Sequence, residues 1–335
     1  MLKNKRIFLG VLVSIFLYVM LNETPIFAQD IETSRLSGNN RFTTSAAISK
    51  EGWTQSSTVI IATGLGYADA LAASSLAKLK DAPILLTQKD SLEKDVITEI
   101  KRLKATKAIL IGSAGVVGTG VVNQLRSLNV SVSRIGGNNR YDTARKVAEI
   151  VGTSNGIIMA TGLDYPDALS IAPIAGMKRI PILLSPKYSM DSGVSQFIKS
   201  RSIPVSFVVG SAGVISSSIA SNLPNSKRLA GADRYDTNLS INKNFEKDLN
   251  YDTIYLATGS DFPDAVAGAA LAAKNSAPIF LTGKYSLSPE IIKFLKTKNV
   301  KHVVALGGSS VVSDKIVSDT KKSITIVPLQ VTSID

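Results

Sequence analysis

Thr58-Val-Ile-Ile-Ala-Thr63-Gly64-Leu-Gly-Tyr67-Ala-Asp69-Ala70-Leu71 is the stretch from which the fold can be read. Thr58–Ala62 is a short β-branched run without polar alternation, the pattern of a strand buried on both faces. Thr63-Gly64 ends it in a turn. Ala68–Leu79 then reads as an Ala-rich helix with Asp69 in its first turn. Working outward, Pro83–Leu86 is a second apolar strand that places proline at its first residue, where it is tolerated. Ser91–Leu103 is a helix with Ser91 as its cap, Ala108–Ile111 a third strand, Gly115–Leu128 a third helix and Val130–Val132 a last short strand. Arg41–Glu51 supplies a leading helix. Apolar strands alternating with helices predict a parallel sheet covered on both faces, a Rossmann-like or flavodoxin-like α/β module. Ligands of such sheets sit outside the carboxyl ends of the strands.

The same order is written three times. Thr-Gly pairs start at Thr63, Thr161 and Thr258, and Pro83, Pro181 and Pro278 keep the same spacing, as do Gly112, Gly210 and Gly307. The copies are cut at 34–132, 133–226 and 227–327. Each is about the size of a small domain. No Pro/Gly/Ser-rich linker separates them, so close packing between modules is expected.

Ahead of the copies, Lys3, Lys5 and Arg6 precede an apolar run from Ile7 to Leu21 and then Ile26-Phe27-Ala28. That order is a secretory signal, residues 1–28, cleaved after Ala28. The run is shorter than the ~20 residues that span a bilayer. Gln330–Asp335 carries no apolar tail. The expectation is a secreted protein with no membrane partner after cleavage.

Composition excludes several chemistries. The 335 residues hold no Cys and one His, His302. No disulfide framework, thiolate metal site or His-clustered zinc site can be built, and no metal or cofactor is expected. The formal net charge of +12 is spread over all three copies without a basic run or an aromatic-interleaved basic stripe, which argues against nucleic acid. A mildly basic repeated surface suits an anionic polymer.

Three motifs recur. Gly-Asn-Asn-Arg ends at Arg41 and Arg140 and becomes Gly-Ala-Asp-Arg at Arg234. Gly and Asn suit a turn with positive φ, and Arg suits bidentate capture of phosphate or carboxylate. The competing reading is an Arg that pairs with a nearby Asp to fasten module edges. Thr-Gly-x-x-[Tyr/Phe]-[Ala/Pro]-Asp-Ala places Thr63, Asp69, Thr161, Asp167, Thr258 and Asp264 on strand–loop–helix crossings. These are possible loop contacts, and helix capping is the competing role for the acids. One Asp per copy supplies no carboxylate pair, and no catalytic residue is expected. Gly-Ser-Ala-Gly at 112–115 and 210–213 lacks the P-loop Lys, so a tight turn is its default reading.

Taken together, Arg-Leu-Ser-Gly-Asn-Asn-Arg41-Phe, Ala-Thr63-Gly64 with Asp69-Ala-Leu, Ala-Pro83-Ile-Leu-Leu86 and Ile111-Gly112-Ser-Ala-Gly115 resemble the cell wall binding repeat 2 (CWB2) family of clostridial-type wall proteins. The resemblance covers about Arg35 to Val327. It implies three Rossmann-like or Toprim-like modules packed as a pseudo-threefold unit. It also implies non-covalent anchoring at the surface of a Gram-positive wall, an anionic secondary wall polymer as partner, and association with other surface-layer proteins. The family links the Arg and Pro-Ile-Leu-Leu elements to polymer binding, which points to Arg41, Arg140 and Arg234, with Leu85, Leu86, Leu183, Leu184, Phe280 and Leu281 nearby. The third copy departs from the pattern at Ala232-Asp233 and Gly308-Ser309-Ser310, so its site is expected to be weaker. A wall-remodelling enzyme and a binding protein for a soluble sugar or nucleotide are the rival functions.

Overall fold

The computed structural model describes residues 30–325; the signal segment at 1–28 and the tail from 326 lie outside the described residues. The chain runs β1 (Glu32–Leu36), α1 (Arg41–Gly52), β2 (Thr58–Thr63), α2 (Tyr67–Lys80), β3 (Ile84–Thr87), α3 (Lys94–Arg102), β4 (Lys107–Ile111) and α4 (Thr119–Ser127). It continues with β5 (Ser131–Ile135), α5 (Arg140–Val151), β6 (Ile157–Thr161), α6 (Pro166–Lys178), β7 (Ile182–Ser185), α7 (Ser192–Lys199), β8 (Ser206–Val209) and α8 (Ser217–Ser221). The last part is β9 (Ser226–Leu229), α9 (Arg234–Asn244), β10 (Thr253–Thr258), α10 (Pro263–Asn275), β11 (Ile279–Thr282), α11 (Pro289–Leu295), β12 (His302–Leu306) and α12 (Asp314–Ile324). This is the α/β order read from the sequence. The helix expected from Ser91 starts instead at Lys94 after Glu93, because Ser91 is taken up in a turn where its carbonyl accepts the Thr87 hydroxyl.

Three four-stranded sheets form, ordered β3-β2-β4-β5, β7-β6-β8-β9 and β11-β10-β12-β1, and every pairing is parallel. The fourth strand of each sheet is the opening strand of the next copy. β5 therefore completes the first sheet, β9 the second, and β1 the third, with Glu32 in register with His302 and Leu36 with Leu306. The last sheet is completed by the first strand in the chain, so the exchange closes into a ring. The boundary at 132/133 falls inside β5.

Small residues explain the centre. α2, α6 and α10 carry Ala, Ser and Gly around most of their circumference and are buried along most of their length, as expected of helices packed on all sides. They pack against one another. A Cβ on Gly176 would lie 2.6 Å from the Ala273 Cβ and 3.0 Å from the Ser74 carbonyl oxygen, so α6 approaches both partners only as glycine there. At the other end of the three helices, the rings of Tyr67, Tyr165 and Phe262 meet pairwise at 5.5, 6.1 and 6.0 Å between centroids. One residue from each copy thus forms an aromatic plug. Such contacts contribute about 1 kcal/mol each beyond burial. Lys274–Asp81 and Lys178–Asp248, both 2.7 Å, cross between copies at the helix C-terminal ends.

Candidate functional site: the seams between copies

The motifs converge where one copy meets the next. β5 ends at Ile135, and Gly136–Asn139 leads into α5. The Asn139 side chain accepts from the Asp142 amide; Asn40 caps α1 and Asp233 caps α9 in the same way. The second Asn of the motif is thus a helix cap. The motif glycines do not have the positive φ that the sequence suggested. They are glycine for closeness, since a Cβ on Gly38, Gly137 or Gly231 would strike Thr43, Asp142 or Asp236 at 2.2–2.6 Å. Positive φ belongs instead to Gly112, Gly210 and Gly307, at 105°, 99° and 95°, in the third motif.

Each motif Arg is stitched to its own copy and faces the preceding one. Arg41, Arg140 and Arg234 donate to the carbonyls of Gly64, Gly162 and Gly259, the glycines of the Thr-Gly pairs. Beyond that bond, Arg41 lies over the Phe262 ring at 5.9 Å and reaches Asp261 at 3.3 Å. Arg140 lies over Tyr67 at 5.6 Å and bonds its hydroxyl at 3.2 Å. Arg234 faces the Tyr165 hydroxyl and pulls its pKa down, against the larger upward push of burial. The Arg41–Asp261 pair fastens copy to copy, as the competing reading of the motif anticipated, while Arg140 stays exposed to solvent.

Thr63, Thr161 and Thr258 are buried, and each hydroxyl accepts from the amide two residues on, at 3.1 Å. They shape the loop. Asp69, Asp167 and Asp264 sit in the first turns of α2, α6 and α10, whose N-cap residues Gly66, Tyr165 and Phe262 make no side-chain cap bond. Their Oδ2 atoms press on Gly112, Gly210 and Gly307, where a Cβ would stand 2.7, 2.4 and 2.2 Å away. Burial raises all three carboxyls above the usual range. Asp264 reaches about 6, with Asp261 adding repulsion and Arg41 offsetting part of it. For Asp69, hydrogen bonding to Thr143 of the next copy and the charge of Arg140 pull the other way. For Asp167, Thr237 and Arg234 do so, against Asp164.

Leu85, Leu86, Leu183, Leu184, Phe280 and Leu281 are 0% exposed on β3, β7 and β11. The runs themselves read as core strands and the family resemblance places them near a bound polymer; their side chains are core, because strands covered on both faces turn every residue inward. The sequence reading also passed over Arg35, Arg134 and Arg228, which recur six residues before the motif Arg. They clamp the carbonyls of Gly307, Gly112 and Gly210 at 2.6–2.9 Å, and Arg134 and Arg228 also hold Val117 and Ile215. Their recurrence in the quoted motif was the available signal.

The result at the first seam is a cleft of about 380 Å³, with Thr63, Tyr67, Asp69 and Ser113 from one copy and Asn138, Asn139 and Arg140 from the next. The second seam holds a cleft of about 170 Å³ between Asp164, Asp167 and Ser211 on one side and Asp233, Arg234 and Thr237 on the other. Both lie outside the carboxyl ends of β2 and β4 or of β6 and β8, where strand order reverses, as ligand sites of open α/β sheets do. Among the described residues no cluster of His, Cys, Asp and Glu could hold a metal ion, and no helix is long and apolar enough to cross a membrane.

The architecture is shared. The structure of Cwp6 from Clostridium difficile superposes with a TM-score of 0.83 at 30% identity, over 91% of this chain and 50% of that one. Cwp8 from the same organism gives 0.80 at 26% identity, over 89% and 52%. N-acetylmuramoyl-L-alanine amidase LytC of Bacillus subtilis (strain 168) is 34% identical over 319 residues, 95% of this chain and 64% of that protein. The chain therefore spans about half to two thirds of the length of these relatives. The model for Cell wall binding domain 2 (CWB2) matches three times, at 35–122, 134–220 and 228–317, and the chain belongs to that family, as a cell-wall-associated surface protein built from three CWB2 copies.

Proposed function

We propose that the protein is secreted and held on a Gram-positive wall, without a covalent bond, by an anionic secondary wall polymer that contacts the seams. The observation that carries this is the convergence of motifs from two neighbouring copies on one cleft, with an exposed Arg140 over Tyr67 at its rim. A guanidinium held by a carbonyl and a ring face keeps outward donors for a phosphate or carboxylate oxygen. The amidase name belongs to a longer relative that shares the CWB2 region.

Co-sedimentation with purified Gram-positive walls, before and after hydrofluoric acid removes phosphodiester-linked polymers, tests the reading. Binding lost with the polymer and weakened by salt is the expected result. Binding that survives stripping moves the target to peptidoglycan and removes the anionic polymer from the account.

A further inference from the structure

The three seams share a backbone plan and differ in charge. The position just before the plug aromatic is Gly66 in the first copy, Asp164 in the second and Asp261 in the third. Each faces the motif Arg of the following copy. At the ring-closing seam Asp261 stands 3.3 Å from Arg41. At the second seam Asp164 lines the same cleft as Arg234, along with Asp167 and Asp233, so one cation meets three carboxylates. At the first seam Gly66 brings no acid, and Asn139 stands where the second seam has Asp233. Arg140 is exposed, whereas Arg41 and Arg234 are half-buried and Arg41 is ion-paired to Asp261. Arg140 also acts on the carboxylate of Asp69, which is buried against Gly112; its counterparts occur at all three seams and so do not discriminate. The cleft with Gly66 is also the roomier of the two, about 380 against 170 Å³.

We propose that the first seam is the one that accepts an anion, and that Asp164 and Asp261 close the other two by neutralising their Arg. The proposal deepens the wall-polymer reading by naming where a phosphate diester or carboxylate oxygen docks. A like charge facing an incoming anion weakens its binding. At the ring-closing seam the Arg41–Asp261 pair must break before an anion can bind, and at the second seam Asp164 adds like charge to the cleft.

The test is a titration of the ¹⁵N-labelled protein with tripolyphosphate, a soluble phosphate polyanion, followed by amide chemical shifts. The amides of Gly66, Asn138 and Arg140 should shift saturably, with those of Ala232, Arg234, Asn39 and Arg41 moving only at about tenfold higher concentration. Gly66→Asp should weaken the first-seam response roughly tenfold. Its backbone has an ordinary extended φ of −151°, and a Cβ there meets nothing closer than Thr63 Cγ2 at 3.9 Å, so the variant has room to fold. Asp164→Gly should make the second seam respond. Equal shifts at all seams, no shift at any, or an unaffected Gly66→Asp overturns the proposal. Wall co-sedimentation of the unaltered protein runs alongside. Walls that do not bind while tripolyphosphate titrates the first seam remove the polymer reading and support this one.

Discussion

Deleting residues 31–36 removes the strand that closes the ring. β1 pairs with β12 over five residues, Ile31 is 3% exposed in the third copy's core, and Arg35 holds the Gly307 carbonyl at 2.6 Å. A parallel ladder of this length contributes about 5 kcal/mol at roughly 1 kcal/mol per hydrogen bond. Burying one Ile adds about 2 kcal/mol. The sum is comparable with the whole net stability of a typical domain, 5–15 kcal/mol. The truncated chain should therefore lose its single cooperative urea transition. β10–β12 should melt early, ahead of a second transition from the first two sheets. The discriminating variant restores the strand elsewhere: the same deletion, with Leu128–Ile135 joined after Ile324, repeats the way α4 runs into β5. It should recover a single transition. Urea unfolding followed by far-UV circular dichroism, and amide exchange at Val303–Leu306, read both variants. An unchanged midpoint and slope in the deletion, or no recovery when the strand is appended, refutes the ring-closure account.

Two further changes probe the seams and the axis. Asp264→Asn should stabilise the protein above pH 6 and leave it unchanged near pH 4: the folded carboxyl titrates at about 6 against about 4 when unfolded, so native stability falls as pH rises through that window. The shift corresponds to roughly 3 kcal/mol before any offset from the helix N-terminus, and thermal melts at the two pH values measure it. Phe262→Ala removes one ring of the plug, along with the surface beneath Arg41, and should cost about 3–5 kcal/mol. Because the plug joins all three copies, the loss should lower one common transition in calorimetry.

Local pattern determined a good deal of this protein. The unbroken apolar runs at Thr58–Ala62 and its counterparts, the alternation with Ala-rich helices and the threefold spacing are nearest-neighbour properties, and they gave parallel α/β modules in the right order. The motif arginines were legible as special because nothing in a helix start demands Arg three times. Burial of the Pro-Ile-Leu-Leu strands was legible as well, from apolar runs without polar alternation, and Leu85 and Leu86 are 0% exposed. Gly66, Asp164 and Asp261 occupy one position in the repeat, but their difference acquires a meaning only beside an Arg about 70 residues away, or at the other end of the chain. The same holds for β1, whose partner β12 is contributed by the far end of the sequence. Strand identity is set by local side-chain pattern. Strand membership is set by which exposed edge is left unpaired once the helices have packed around the axis, a property of the assembled ring that no local stretch carries.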